Sequence, residues 1–265
     1  MSRSVVILQR ALRLLPGLML TGAVAAQGQL PSAAGDARDG SVRFTFPVKP
    51  GVEICDDGVH AKERRASWRR GSLRDRGDCR TGTALVELQL RSGVVQEARL
   101  IRPSESETGS ARDLGHLPAE EAAAAFLDLA RRGATPDAAK DILFFSTLAD
   151  AEDVWRGLVT IARDRALDQD VRKGALFWLG QEVADAVTGE LQAVAVASDE
   201  EQDVRESAIF AISQRPPSQA IPALIEVART AEDAETLRAS LFWLAQFQDE
   251  RVVDFFEDML SGPVR

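Results

Sequence analysis

A mainly helical fold, an α-solenoid of about four helix pairs behind a small disulfide-linked β unit, is what this 265-residue sequence predicts. Three observations carry it. A segment in the second half of the chain recurs at offsets of 33, 33 and 32 residues. Each copy is followed by apolar residues spaced four and then three apart, the period of a helix face. The first half instead shows strict apolar/polar alternation, and it holds both cysteines of the chain.

Composition bounds the function classes. Apolar residues make up 45% and charged residues 28%, within the globular range. With 32 Lys+Arg against 41 Asp+Glu the net charge is −9, which excludes a generally basic protein that coats nucleic acid. Two His, two Cys and no Tyr leave few side chains for metal or acid–base chemistry, so no reaction, metal or cofactor is predicted.

Arg3, Arg10 and Arg13 precede the first acidic residue, Asp36, and Leu14 to Ala26 is apolar except for Pro16, Gly17, Thr21 and Gly22. Small residues at Ala23, Ala25 and Ala26 complete the pattern of a cleaved signal peptide over residues 1–26. The apolar run is shorter than the ~18 residues that span a bilayer. The expectation is a periplasmic or secreted protein with no integral membrane segment after cleavage.

Residues 27–117 read as the β unit. Val42, Phe44, Phe46 and Val48 alternate with Arg43, Thr45 and Pro47 as a strand with one buried face, and Pro47 predicts an edge position. Val86, Leu88 and Leu90, then Ser92-Gly93, then Val94 to Leu100 read as a hairpin with a two-residue turn. Three strands enclose too little apolar area to stand alone, so the unit is expected to dock on the helical region C-terminal to it.

Cys55 and Cys79 flank the loop between the first strand and the hairpin, and behind an export signal a disulfide is the default reading. The alternative, a metal site of Cys55, His60, Cys79 and His116, matches no compact ligand spacing. Within that loop Arg64, Arg65, Arg69 and Arg70 surround Trp68. Two readings stay open: an anion-binding loop, or a solvated charge run, free or docked on the acidic half. That half is distinct, since residues 27–116 hold 15 basic and 13 acidic residues whereas 117–265 hold 14 and 28, a net of −14.

Residues 118–265 read as the repeat region, with units at about 135–167, 168–200, 201–233 and 234–263. The clearest copies are Val171-Arg-Lys-Gly-Ala-Leu-Phe-Trp-Leu-Gly-Gln181 and Val204-Arg-Glu-Ser-Ala-Ile-Phe-Ala-Ile-Ser-Gln214; Thr236 to Gln246 and a degenerate Ala138 to Phe145 complete the set. The second helices carry Val154, Leu158, Ile161; Val187, Leu191, Val194; Ala220, Leu224, Val227; and Val252, Phe256, Met259. Thr135-Pro136, Asp168, the acids of 199–203 and Pro222 mark helix starts. An Ala-rich helix over Pro118 to Arg132 is expected to cap the stack.

On a helical projection Val171, Ala175, Trp178 and Leu179 form the core stripe and Phe177 falls opposite. Phe144, Phe210 and Phe242 occupy the same slot in the other copies. Two readings of this column stay open, a buried seam between repeats or an exposed aromatic ladder that docks a partner.

The Val-Arg start, the apolar first helix ending in Gln, and the second helix Ala220-Ile-Pro-Ala-Leu-Ile-Glu-Val-Ala228 resemble HEAT-like repeats of the phycobilisome-lyase type, as found in exported bacterial proteins. The resemblance covers the last half of the chain. It implies an interaction scaffold more than a reaction: the iron-dependent hydroxylase branch depends on His-Glu pairs, and these repeats hold no His. The sequence therefore predicts a non-catalytic exported scaffold with an acidic binding surface, a protein partner and no nucleic acid. The alternative is an enzyme or enzyme accessory working through surface carboxylates such as Glu182, Asp185 and Glu190.

Overall fold

The computed structural model describes residues 38–61, 77–105, 110–182 and 184–261. The signal-peptide segment 1–26 and Arg64, Arg65, Trp68, Arg69 and Arg70 lie outside the described residues. In chain order the strands are β1 (Gly40–Pro47), β2 (Val52–Cys55), β3 (Gly58–Ala61), β4 (Cys79–Thr81), β5 (Thr83–Arg91), β6 (Val94–Leu100) and β7 (Arg112–His116). They form a four-stranded sheet ordered β6-β5-β1-β7 and a three-stranded sheet ordered β3-β2-β4.

The hairpin β5–β6 turns at Ser92 and Gly93, whose φ values of 52° and 80° are both positive, as a turn matched to strand twist requires. Cys55 and Cys79 face one another across β2 and β4 and are joined in a disulfide. The small sheet occupies part of what alternation alone reads as a loop, because strands of three or four residues are too short to show a period.

Pro47 does not make β1 an edge strand. β1 is interior, antiparallel to β5 and parallel to β7. The β7 pairing covers only Val42 to Thr45, so the proline at the strand's last position has no ladder bond to donate on that side. Its carbonyl accepts the Asp150 amide at 3.1 Å, tying the strand end to a loop between helices.

The helices are α1 (Ala119–Asp128), α2 (Pro136–Leu148), α3 (Val154–Arg163), α4 (Gln169–Gln181), α5 (Ala186–Ala195), α6 (Gln202–Ser213), α7 (Pro217–Thr230), α8 (Ala234–Leu244) and α9 (Glu250–Ser261), with a π-helical turn at Leu129–Gly133 after α1. The first helices of the sequence repeat, α2, α4, α6 and α8, pack each on the next. A second row runs α1, α3, α5, α7, and α9 packs on α7. The Ala-rich α1 therefore takes the place of a second helix ahead of the first repeat.

Side-chain caps open three of the first helices, α2, α4 and α8. Thr135 Oγ1 accepts from the Ala138 amide at 3.4 Å, Asp168 from Asp170 at 2.8 Å and Asp233 from Thr236 at 2.7 Å. Pro222 is not a start signal. Pro217 opens α7, and Pro222 lies exposed inside it. The last apolar series also departs from its pattern, since Val252 is buried but Met259 is 45% exposed.

The sheet buries Val42, Phe44, Phe46, Val86 and Leu88 completely. Phe126 of α1 stands over it, with ring centroids 5.6 Å from Phe44 and 5.1 Å from Phe46, and it reaches Phe145 of α2 at 5.9 Å. Backbone bonds from Lys49 to Leu148 at 2.9 Å and from Thr135 to Val95 at 2.9 Å fasten the sheet to both ends of α2. The β unit thus docks on the helices as expected, and one hydrophobic core runs from β1 to α9.

Candidate interaction surface

The side of the first-helix row that turns away from the second row carries the aromatic column. Phe144 stacks on Trp178 of the next repeat at 5.0 Å, and Trp178 meets Phe177 edge-on at 4.9 Å. Phe177 faces Phe210 at 6.5 Å with rings 15° apart, Phe210 meets Trp243 at 5.1 Å, and Trp243 meets Phe242 at 5.1 Å. Trp178 therefore leaves the core stripe assigned to it and is half-buried in this ladder, because its ring bridges two repeats.

The column is both a seam and an open surface. Phe144 and Phe210 are half-buried between helices, while Phe177 is 41% and Phe242 58% exposed. Between α6 and α8 it opens into a groove of about 590 Å³. Phe210, Trp243 and Phe242 line it, small side chains at Ser207 and Ala239 keep it open, and Asp203, Glu206, Glu235, Lys173 and Arg238 rim it. Apolar rings inside a polar rim form the anatomy of a binding patch. The hydrogen bond from Lys173 to Asp170 holds its ammonium above the ordinary lysine range, and the nearby Asp203 charge adds to this.

Residues that periodicity alone misses are enclosed against the turns that join the helices. Arg172 and Arg215 are almost fully enclosed. Arg172 donates through Nε to the Ala162 carbonyl at 3.0 Å and pairs through Nη2 with Glu200, itself 8% exposed. Burial pushes the Glu200 carboxyl up, but its bonds from Arg172 and the Glu201 amide outweigh this and hold it below the ordinary glutamate value. One repeat later Arg205 pairs with Asp233 at 3.4 Å and donates to Thr236 Oγ1 at 3.2 Å. The signal was present in the sequence: the arginine of each Val-Arg start is followed 28 residues on by a carboxylate.

The remaining candidates are dispersed. Cys55 and Cys79 are consumed by their disulfide, His60 contacts Asp57 at 2.7 Å, and His116 lies in the other sheet beside Thr45 at 3.1 Å, so the four do not form a ligand set. Glu182 pairs with Lys49 at 3.5 Å, Asp185 accepts from Gln219 at 2.6 Å, and Glu190 pairs with Arg163 at 2.5 Å. Each is engaged in joining elements. No helix among the described residues is long and apolar enough to cross a membrane.

Helix pairs at a 33-residue period, stacked first helix on first helix, agree with the family to which part of the chain is similar. Residues 191–265 match the family of HEAT repeats. The matched span runs from the middle of α5 through α9 and so takes in α6 and α8, with Phe210, Trp243 and the exposed Phe242. The chain carries a HEAT-like repeat. No curated protein matches the chain. A HEAT repeat is consistent with a protein-interaction scaffold, which agrees with the open aromatic face of the first-helix row.

Proposed function

We propose that the protein is a non-catalytic, exported interaction scaffold: an α-solenoid of four HEAT-like helix pairs, of the phycobilisome-lyase type, whose first-helix face binds a protein partner. The observation that carries this reading is the aromatic ladder. It is continuous from Phe144 to Phe242, and Phe177 and Phe242 are exposed. Large rings held rigidly by neighbouring helices lose little freedom on binding and bury much area, which makes them effective anchors at interfaces. The excess of carboxylates over residues 117–265 supplies the acidic setting.

Export is supported by the amino-terminal pattern over residues 1–26 and by the use of both cysteines in one disulfide. In this reading the β unit and α1 close the amino-terminal end of the stack. A catalytic role has less support, since the repeats contain no His or Cys and the three carboxylates considered for it serve as inter-element contacts.

The test is affinity capture from an envelope extract with the wild type and with Phe177→Ala/Phe242→Ala. A partner retained by the wild type and lost by the double variant, at unchanged thermal stability, is the expected result. An identical set of captured proteins in both would remove the aromatic face from the function.

A further inference from the structure

The exposed face of the first helices is striped in register, and one stripe is broken. Positions 137, 170, 203 and 235, one per helix, hold Asp, Asp, Asp and Glu, and three residues on, positions 140, 173, 206 and 238 hold Lys, Lys, Glu and Arg. In α2, α4 and α8 the two positions close an ion pair one turn apart: Lys140 with Asp137 at 3.0 Å, Lys173 with Asp170 at 2.9 Å, and Arg238 with Glu235 at 3.5 Å. In α6 the cation is replaced by Glu206, so two exposed carboxylates stand where the other helices neutralise one. Glu206 accepts a hydrogen bond at 2.6 Å from the neutral Gln202. The flanking cations, Lys173 and Arg238, are held by the acids of their own helices.

The break coincides with the groove. Asp203 and Glu206 line it together with Phe210, Trp243 and Phe242, and Phe210 meets Trp243 at 5.1 Å. Carboxylates beside aromatic faces favour a cation at that point twice over, through charge and through the ring quadrupole. The rings on either side favour apolar groups next to that cation.

We infer that the groove between α6 and α8 receives a polypeptide segment of the partner that places a Lys or Arg side chain at Asp203 and Glu206, with apolar residues beside it on Phe210, Trp243 and Phe242. The partner's cation completes the stripe that α6 leaves unfinished. This rests on the proposed function, because it specifies what the same face binds.

The test is selection of displayed random dodecapeptides on the full chain at near-physiological salt. It uses the wild type, Glu206→Lys, Glu206→Gln, Phe242→Ala and, as a charge-matched control on the exposed side of α7, Glu226→Lys. The wild type and Glu226→Lys are expected to enrich peptides with Lys or Arg flanked by apolar residues. A representative peptide should bind Glu206→Lys roughly tenfold more weakly, with Glu206→Gln in between, and should be lost with Phe242→Ala. Apolar peptides without a basic residue, lost only with Phe242→Ala, would overturn the cation while leaving the groove in use. Basic peptides enriched equally by Glu206→Lys would reduce the effect to net charge and overturn it too. No enrichment, or enrichment indifferent to Phe242→Ala, would overturn both this inference and the function it rests on.

Discussion

Arg172 is held where a charge is costly, and what it touches explains why it stays. Its guanidinium is 1% exposed and reaches both the end of α3, through the Ala162 carbonyl, and the turn before α6, through Glu200. Removing one partner of such a pair strands the other charge in the core, at a cost of about 3–5 kcal/mol. Glu200→Ala should lower the free energy of urea unfolding by about that amount, and Glu200→Gln, which can still accept a hydrogen bond, by less. Because the folded carboxyl titrates below its ordinary value of 4.5, its contribution is complete above that value and is lost as pH falls through the folded one. Between about pH 5 and about pH 3 the wild type should therefore lose more thermal stability than Glu200→Gln. Parallel melting curves for the two proteins would contradict the assignment. Such a residue is hard to see in sequence, since an arginine after a valine reads as the solvated edge of an amphipathic helix; only its fixed distance to a carboxylate in successive repeats marks it.

At the scale of elements, close approach of helices sets which glycines matter. A Cβ on Gly180 of α4 would lie 2.8 Å from the Ala211 carbonyl oxygen and 3.1 Å from its Cα, so α6 could accommodate it only by moving. On Gly174 of the same helix the nearest neighbour would be Leu143 Cδ1 at 3.5 Å, an ordinary contact. Gly174→Ala is thus expected to stabilise by up to about 1 kcal/mol through helix propensity, and Gly180→Ala to destabilise by about 1–3 kcal/mol through overpacking. Chemical denaturation of the two variants checks both signs at once. The helices were the legible part of the fold. Each runs ten or more residues with a repeated apolar face, and Thr135 and Asp168 cap as their types predict; the cap at Asp233 was not among the start signals read from the sequence. β2, β3, β4 and β7 were not legible: three to five residues show no period, and β7 exposes both faces of Arg112, Asp113 and His116. Pro47 misled because a proline reports a missing donor but not how far the neighbouring strand extends.

For the whole molecule, two regions that differ in charge and secondary structure share one core. Phe126 is the joint, touching Phe44 and Phe46 of the sheet and Phe145 of the first repeat. The first-helix face was half legible in the sequence. The recurrence of Phe144, Phe177, Phe210 and Phe242 could be read, but whether the rings were sealed or open depended on Trp178, Trp243 and the small Ala211 between them, which a single-helix projection does not resolve. In α6 that alanine takes the place of a Trp, and Phe177 stacks directly on Phe210 across it. The proposed role of this face is to bind a protein partner. Its most direct test places a photo-crosslinking phenylalanine analogue at position 242, and separately at position 226 on the other helix row, in cells that make the protein. Discrete crosslinked adducts from position 242 and none from 226 are predicted; no adduct from 242, or the same adducts from both, would contradict it.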